Sequence, residues 1–143
     1  AQAPERCCPG GTCPSCLLAV PSAKIETVTR RRVVVVIEDE ADLAELEAQI
    51  LAPYCDCRII TDNFADLMQD EVWLDVDVGV FDLMLPDISG KKIVQWVAEN
   101  HNEVRRVVCT AIPLSELLDI AEYADYVLLK PFSPSQLVEA VVS

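Results

Sequence analysis

Acidic side chains stand where apolar segments of this chain end. Glu38, Asp39 and Glu40 follow the apolar residues 33–37, and Asp82 follows a later apolar segment. If these segments are parallel strands of one sheet, their carboxyl ends open on the same edge and the carboxylates meet there. Clustered carboxylates repel one another unless a cation neutralises them, and carboxylate oxygens suit Mg²⁺. The pattern therefore predicts a Mg²⁺ site, whereas Glu40 is expected to be a solvated residue or a helix cap.

Two further polar residues, Thr110 and Lys130, end the next two apolar segments. At the same edge of a sheet they would add a hydroxyl and an ammonium group to the carboxylates. A metal ion and a lysine can neutralise the oxygens of a phosphoryl group while a carboxylate attacks its phosphorus. Asp82 is the expected nucleophile because it begins the turn DLMLPDISG, whose proline and glycine let the backbone double back over the site.

The segments that must position these groups alternate between short β-branched runs and longer amphipathic stretches, from Arg32 onward. The predicted strands are residues 33–37, 57–60, 76–81, 106–109 and 126–129. The predicted helices are residues 42–51, a segment capped by Asn63 that runs through Leu67 and Met68, residues 90–100, residues 114–123, and a last helix with Ser133 as its cap and Pro134 at its first position. Parallel strands joined by helices need right-handed crossovers, which gives an α/β fold: a doubly wound five-stranded parallel sheet with helices on both faces.

Four motifs resemble the receiver domain of the response regulators of two-component signalling. The segments IEDE, FDLMLPDISG, CTA and LLKPF are similar to that family in order and in spacing, and the resemblance covers residues 32–143. It implies the flavodoxin-like receiver fold and a phosphoryl group accepted on Asp82. It also implies that Glu38 and Asp39 form the acidic pair that holds Mg²⁺ beside Asp82, with Asp39 the more direct ligand.

The resemblance implies roles for further residues. Met84 matches the position whose backbone carbonyl binds the metal, Thr110 matches the switch hydroxyl, and Lys130 matches the lysine that pairs with the phosphoryl group. A cis peptide is implied before Pro131. The implied partners are a histidine kinase or histidine phosphotransfer protein and a downstream protein target, with a homodimer left open. The implied activity is that of a signalling phospho-acceptor, not of an enzyme.

Two features depart from the family pattern. Val127 stands where many receivers carry an aromatic residue that relays the state of the threonine, and Tyr126 cannot replace it because neighbouring strand residues point to opposite faces. Met84 and Ile112, expected to flank Asp82, offer no polar side chain to hold a hydrolytic water. We therefore expect slow self-dephosphorylation.

Other functions stay open. A pseudo-receiver would keep the fold as a phosphorylation-independent protein-binding module, and Val127 favours this alternative. An aspartate-nucleophile phosphatase of the haloacid dehalogenase type would carry an acid two residues after the nucleophile, where this chain has Met84. A nucleotide- or flavin-binding domain would carry a glycine-rich loop after the first strand, and the sequence lacks one there.

Residues 1–31 are predicted to form a cysteine-rich N-terminal tail, separate from the receiver domain of residues 32–143. This tail holds Cys7, Cys8, Cys13 and Cys16. Four thiolates can bind Zn²⁺ and a C-x-x-C pair can act as a redox dithiol, but adjacent cysteines fit one ion poorly. A flexible tail with incidental thiols is the preferred interpretation. The remaining cysteines, Cys55, Cys57 and Cys109, are expected to be small buried hydrophobes, and His101 is expected in a polar turn.

Composition excludes several classes of function. The chain has 143 residues and a formal net charge of −13, which repels nucleic acid and anionic lipid, so direct nucleic-acid binding is not expected. The longest apolar stretch is far shorter than the roughly 20 residues that a membrane span requires, so no membrane association is expected. The first residues do not have the pattern of a signal peptide, which favours a cytoplasmic location.

Overall fold

Within the described residues, parallel strands form one sheet in the order β2-β1-β3-β4-β5. The strands are β1 (Arg32–Ile37), β2 (Cys55–Ile60), β3 (Val78–Asp82), β4 (Arg105–Thr110) and β5 (Tyr126–Leu129). This order is that of a doubly wound sheet, in which the chain reverses its direction of winding between β1 and β3. The predicted α/β fold is confirmed.

The structure, a computed structural model, describes residues 31–111 and 114–143, without the side chains of residues 114–117. The tail cysteines Cys7, Cys8, Cys13 and Cys16 therefore lie outside the described residues, as does Ile112. The predictions of a Zn²⁺ site, a redox pair or a flexible tail stay predictions. None of the described helices is both long and apolar enough to cross a bilayer.

Helices cover both faces of the sheet. They are α1 (Ala41–Leu51), a 3-10 helix (Phe64–Leu67), α2 (Asp70–Trp73), α3 (Gly90–Asn100), α4 (Leu114–Ala121) and α5 (Pro134–Val142). Four of the predicted helices begin and end within two residues of these bounds. The cap of α5 is also confirmed, because the Ser133 hydroxyl accepts a hydrogen bond from the N–H of Gln136 and the Gln136 side chain accepts one from the N–H of Ser133.

The predicted helix after Asn63 is confirmed in its position but not in its type or its cap, because the segment is a 3-10 helix that ends at Leu67. Asn63 has a left-handed backbone with φ 52°, and its side chain makes no capping hydrogen bond. An N-cap residue normally has an extended backbone, so this conformation does not suit a side-chain cap. The segment instead forms the 3-10 helix and then the single turn α2, whose Trp73 is fully buried.

Successive side chains of β1 point to opposite faces of the sheet, so the core has two layers. Val34 and Val36 pack with apolar residues of α1 and α5, whereas Val35 and Ile37 pack with those of the 3-10 helix, α2, α3 and α4. A strand buried on both faces is expected to read as a continuous β-branched run, as β1 does. Apolar side chains thus pack against both faces of the sheet.

The amino ends of the strands form what we call the amino edge, where charged side chains are paired with the backbone. Asp77 accepts a hydrogen bond from the N–H of Val33 at 2.8 Å, and Asp125 accepts one from the N–H of Arg106 at 2.8 Å. The buried Arg106 guanidinium donates to the carbonyl oxygen of Val104 at 2.8 Å. Buried charges are tolerated when they have such partners, so these side chains can stabilise the amino edge.

The single histidine, His101, lies between α3 and β4, as the sequence predicts. Its side chain is buried, and Nε2 lies 2.8 Å from Oδ1 of Asp70. Cys55 and Cys109 are buried, as expected of small apolar side chains, and Cys57 is half-buried.

Candidate functional site

The carboxyl ends of the strands form the opposite edge of the sheet, which we call the carboxyl edge. Glu38 follows β1, and its N–H donates to the carbonyl oxygen of Ile60, which extends the parallel pairing past the strand. Its side chain is buried, whereas the next residue, Asp39, is exposed. Glu40 is also exposed and occupies the N-cap position of α1 without a side-chain capping bond. Its assignment as a solvated helix-entry residue is confirmed.

Asp82 is the last residue of β3 and is 5% exposed. The N–H of Met84 donates to its Oδ1 at 3.0 Å, which fixes the orientation of the carboxylate. The loop returns to α3 at Gly90, where a side chain would overlap the carbonyl oxygen of Asp82 and lie 2.6 Å from Cα of Leu83. Glycine is therefore needed at this position for the loop to close under the carboxylate.

Glu38, Asp39 and Asp82 converge, as the order of the strands predicts. One carboxylate oxygen from each residue lies within 4.8 Å of the others. Burial, the hydrogen bond with Asp82 and the charge of that residue together raise the pKa of Glu38 to about 8. Such a cluster holds a proton unless a cation replaces it, and hard carboxylate oxygens are the donors that Mg²⁺ prefers. The donor set of this chain therefore fits Mg²⁺.

Lys130, which follows β5, lies against the same carboxylates. Its Nζ is 3.3 Å from Oδ2 of Asp82 and 3.5 Å from Oε1 of Glu38. Burial lowers the pKa of Lys130, but the charges of Asp82 and Glu38 outweigh burial and leave that pKa above its ordinary value. The lysine therefore stays protonated beside the carboxylates. The peptide bond between Lys130 and Pro131 is cis, as the resemblance implies.

Thr110 is the last residue of β4, and its side chain is fully buried. The register of the sheet pairs Asp82 with Cys109, so Thr110 lies one residue farther along the neighbouring strand. The N–H of Lys130 donates to the carbonyl oxygen of Thr110 at 2.9 Å, which joins the ends of β4 and β5. The structure thus gathers the residue types that the sequence predicts at the carboxyl edge.

The two residues at the start of β5 face different layers. Val127 packs against the layer that includes Ile120 of α4, and Tyr126 packs against the layer of α5, where its ring lies 5.9 Å from the guanidinium carbon of Arg105. Tyr126 therefore does not occupy the position of an aromatic relay on the Val127 face, as alternation along a strand predicts.

The sequence analysis did not single out Glu47, which the structure places beside this site. Glu47 lies on the buried face of α1 with Ala44 and Leu51 and is 3% exposed. Burial raises its pKa to about 7, and the Asp82 charge acts in the same direction while Lys130 opposes it. The sequence could have indicated that Glu47 is buried, because helical spacing puts this acid on the same face as two apolar residues.

Comparisons with known proteins agree with this geometry. A family model described as a response regulator receiver domain matches residues 34–142. The regulatory protein VanRc of Enterococcus gallinarum is 28% identical over 116 residues, which are 76% of this chain and 47% of that protein. The chain thus spans about half the length of that curated relative.

Solved structures show the same fold. The BeF3-activated receiver domain of DrrB has a TM-score of 0.70 and 24% identity, and the match covers 78% of this chain and 95% of that one. The CheX-CheY-BeF3-Mg²⁺ complex from Borrelia burgdorferi has a TM-score of 0.69 and 15% identity, over 77% of this chain and 86% of that one.

Proposed function

The chain belongs to the response-regulator receiver family, and from that premise we propose that it accepts a phosphoryl group on Asp82 and acts as a phosphorylation-controlled switch. The donor is a histidine kinase or a histidine phosphotransfer protein. One observation carries the proposal: the buried Asp82 carboxylate lies 3.3 Å from the Lys130 ammonium and has an oxygen within 4.8 Å of carboxylate oxygens of Glu38 and Asp39.

Each neighbouring residue has a task in the transfer. Glu38, Asp39, Asp82 and the backbone carbonyl of Met84 would hold Mg²⁺, which would neutralise charge on the phosphoryl oxygens. The Met84 N–H keeps the Asp82 carboxylate in one orientation, so the nucleophile is aimed before the donor arrives. A bond forms between an Asp82 oxygen and phosphorus as the bond from phosphorus to the donor histidine nitrogen breaks, and that nitrogen keeps the electron pair.

Lys130 acts after the bond has formed. In the unphosphorylated protein, the ammonium group pairs with Asp82 and Glu38. A phosphoryl oxygen on Asp82 would offer it a stronger anionic partner. The Thr110 hydroxyl, at the end of the adjacent strand, is proposed to turn toward the same group. A downstream protein target would read the resulting change. Because Val127 replaces the aromatic relay, this chain must transmit the change through other contacts of α4 and β5.

A pseudo-receiver is the second candidate, and Val127 is the observation that favours it. In that case the fold would bind a partner irrespective of phosphorylation. An aspartate-nucleophile phosphatase is less favoured, since Met84 replaces the expected second acid and is 64% exposed. A cytoplasmic location and a homodimer stay predictions.

The test compares the protein with its Asp82→Asn variant after incubation with acetyl phosphate, with and without Mg²⁺. Asp87→Asn is the matched control, since Asp87 is an exposed acid of the same loop. We expect mass spectrometry to find one phosphoryl group on the wild type and on Asp87→Asn, only with Mg²⁺, and none on Asp82→Asn. An unlabelled wild type would favour the pseudo-receiver, and a labelled Asp82→Asn would show that another residue is the acceptor.

A further inference from the structure

A groove of about 540 Å³ lies between α1 and the loop that joins β5 to α5. Its walls are mostly aliphatic and aromatic, and they include Leu43, Leu46 and Ile50 of α1 together with Phe132 and Pro134. Leu46 is 51% exposed at the groove, so apolar surface there is open to solvent. The volume and the lining are those of sites that take small organic molecules, which are about 300 to 1,000 Å³ and largely apolar.

One acidic side chain, Glu47, lines this groove. It is 3% exposed, and its Oε2 is shielded from solvent and has no hydrogen-bond partner among the described residues. An unpaired buried carboxylate oxygen costs stability, so a donor delivered to it would be bound strongly. The last torsion of a glutamate is broad, and the carboxyl can therefore turn toward a donor in the groove.

Among the residues that the structure describes, no charged side chain donates a hydrogen bond to this oxygen. Lys130 also lines the groove, but its ammonium is engaged by Asp82 and Glu38 at 3.3 and 3.5 Å. The other ionisable groups that act on Glu47 are Asp82 and the buried thiol of Cys109, and neither supplies a positive charge. Oε2 of Glu47 thus has no hydrogen-bond donor among the described residues, and the groove beside it has room for an apolar group.

We propose that this groove binds a small organic amine, whose apolar body packs between α1 and Phe132 and whose protonated amino group pairs with Glu47. An organic anion is disfavoured, because Glu47 and the net charge of −13 both repel it. The proposal does not depend on phosphorylation of Asp82. A bound amine would contact the loop after β5, which includes Lys130. The amine would therefore lie next to the carboxyl edge.

Tryptamine and indole-3-propionate are suitable probes, since they share an apolar ring and carry opposite charges. Binding at pH 8 is followed by amide chemical shifts in two-dimensional nuclear magnetic resonance, with the wild type, Glu47→Gln and Glu45→Gln. Glu45 is exposed on the same helix, so its variant removes the same charge without changing the groove. We expect tryptamine to shift the resonances of α1 and of residues 131–134, and to bind about tenfold or more weakly to Glu47→Gln only.

Several outcomes would overturn the proposal. Equal affinity of tryptamine for the wild type and Glu47→Gln would show that Glu47 takes no part. Equal weakening in Glu45→Gln would show attraction to overall charge alone, and comparable binding of indole-3-propionate would show that the groove selects only for apolar surface. Resonance changes elsewhere, or a groove perturbed by helical peptides and by neither probe, would also contradict a small-molecule site.

Discussion

Replacing Glu47 by glutamine should stabilise the protein at alkaline pH and have much less effect at acid pH. Burial raises the pKa of this carboxyl from an ordinary 4.5 to about 7 in the folded protein. Between these values the folded state holds a proton that the unfolded state releases, so stability falls as the pH rises through this window. The loss of stability is complete only above the pKa of Glu47 in the folded state, because the carboxyl is then ionised in both the folded and the unfolded state.

The size of the effect follows from the two pKa values. At about 1.36 kcal/mol for each pH unit, the wild type loses about 3 kcal/mol by pH 8, and about 2 kcal/mol of this appears between pH 5 and pH 8. Glu47→Gln removes this dependence, since an amide does not titrate. Any packing defect introduced by the amide is the same at both pH values and cancels from the difference.

The assay is urea denaturation of the wild type, Glu47→Gln and Glu45→Gln at pH 5 and pH 8 in the presence of a chelator. The free energy of unfolding of Glu47→Gln minus that of the wild type should be about 2 kcal/mol larger at pH 8 than at pH 5, which means that the variant gains stability relative to the wild type. Glu45→Gln, an exposed change on the same helix, should show no such difference. A Glu47→Gln difference that is equal at the two pH values would refute the argument from burial.

Two further predictions concern the acceptor loop. Met84→Asn should shorten the lifetime of the acyl phosphate on Asp82, because an amide at this exposed position can hold the attacking water; equally fast decay in both proteins would reject the expectation of slow self-dephosphorylation. Gly90→Ala should lower the free energy of unfolding by about 1 to 3 kcal/mol, because the new methyl group meets the backbone of Asp82 and Leu83. Alanine at an unconstrained helical position would stabilise instead, so a raised melting temperature would contradict this reading of the loop.

The site could be predicted largely from the sequence because it depends on topology more than on detailed packing. Once β1, β3 and β5 are recognised as parallel strands, their ends must lie on one edge, and Glu38, Asp82 and Lys130 follow from that alone. The start of β3 was less predictable. Its predicted first residue was Val76, whereas the strand begins at Val78, after Asp77, which makes side-chain and backbone hydrogen bonds to Val33 near the start of β1.

Local pattern failed where tertiary packing decides the conformation. The segment after β2 places Phe64, Leu67 and Trp73 in the core at irregular spacing, so it forms two short helical turns and not one amphipathic helix. The Trp73 indole also stacks on Phe81, with ring centroids 5.7 Å apart. Phe81 belongs to β3 and not to this segment, and helical periodicity within the segment carries no information about such a partner.

The contrast between the two edges of the sheet bears on how this protein could be engineered. Charged groups of the amino edge have backbone partners, so their removal should only weaken the scaffold. The crowded acids of the carboxyl edge oppose folding when no cation is bound, as the raised pKa of Glu38 indicates. Laboratory evolution toward heat resistance alone would therefore favour neutral replacements at the carboxyl edge and yield robust but unresponsive variants, unless each round also required signalling.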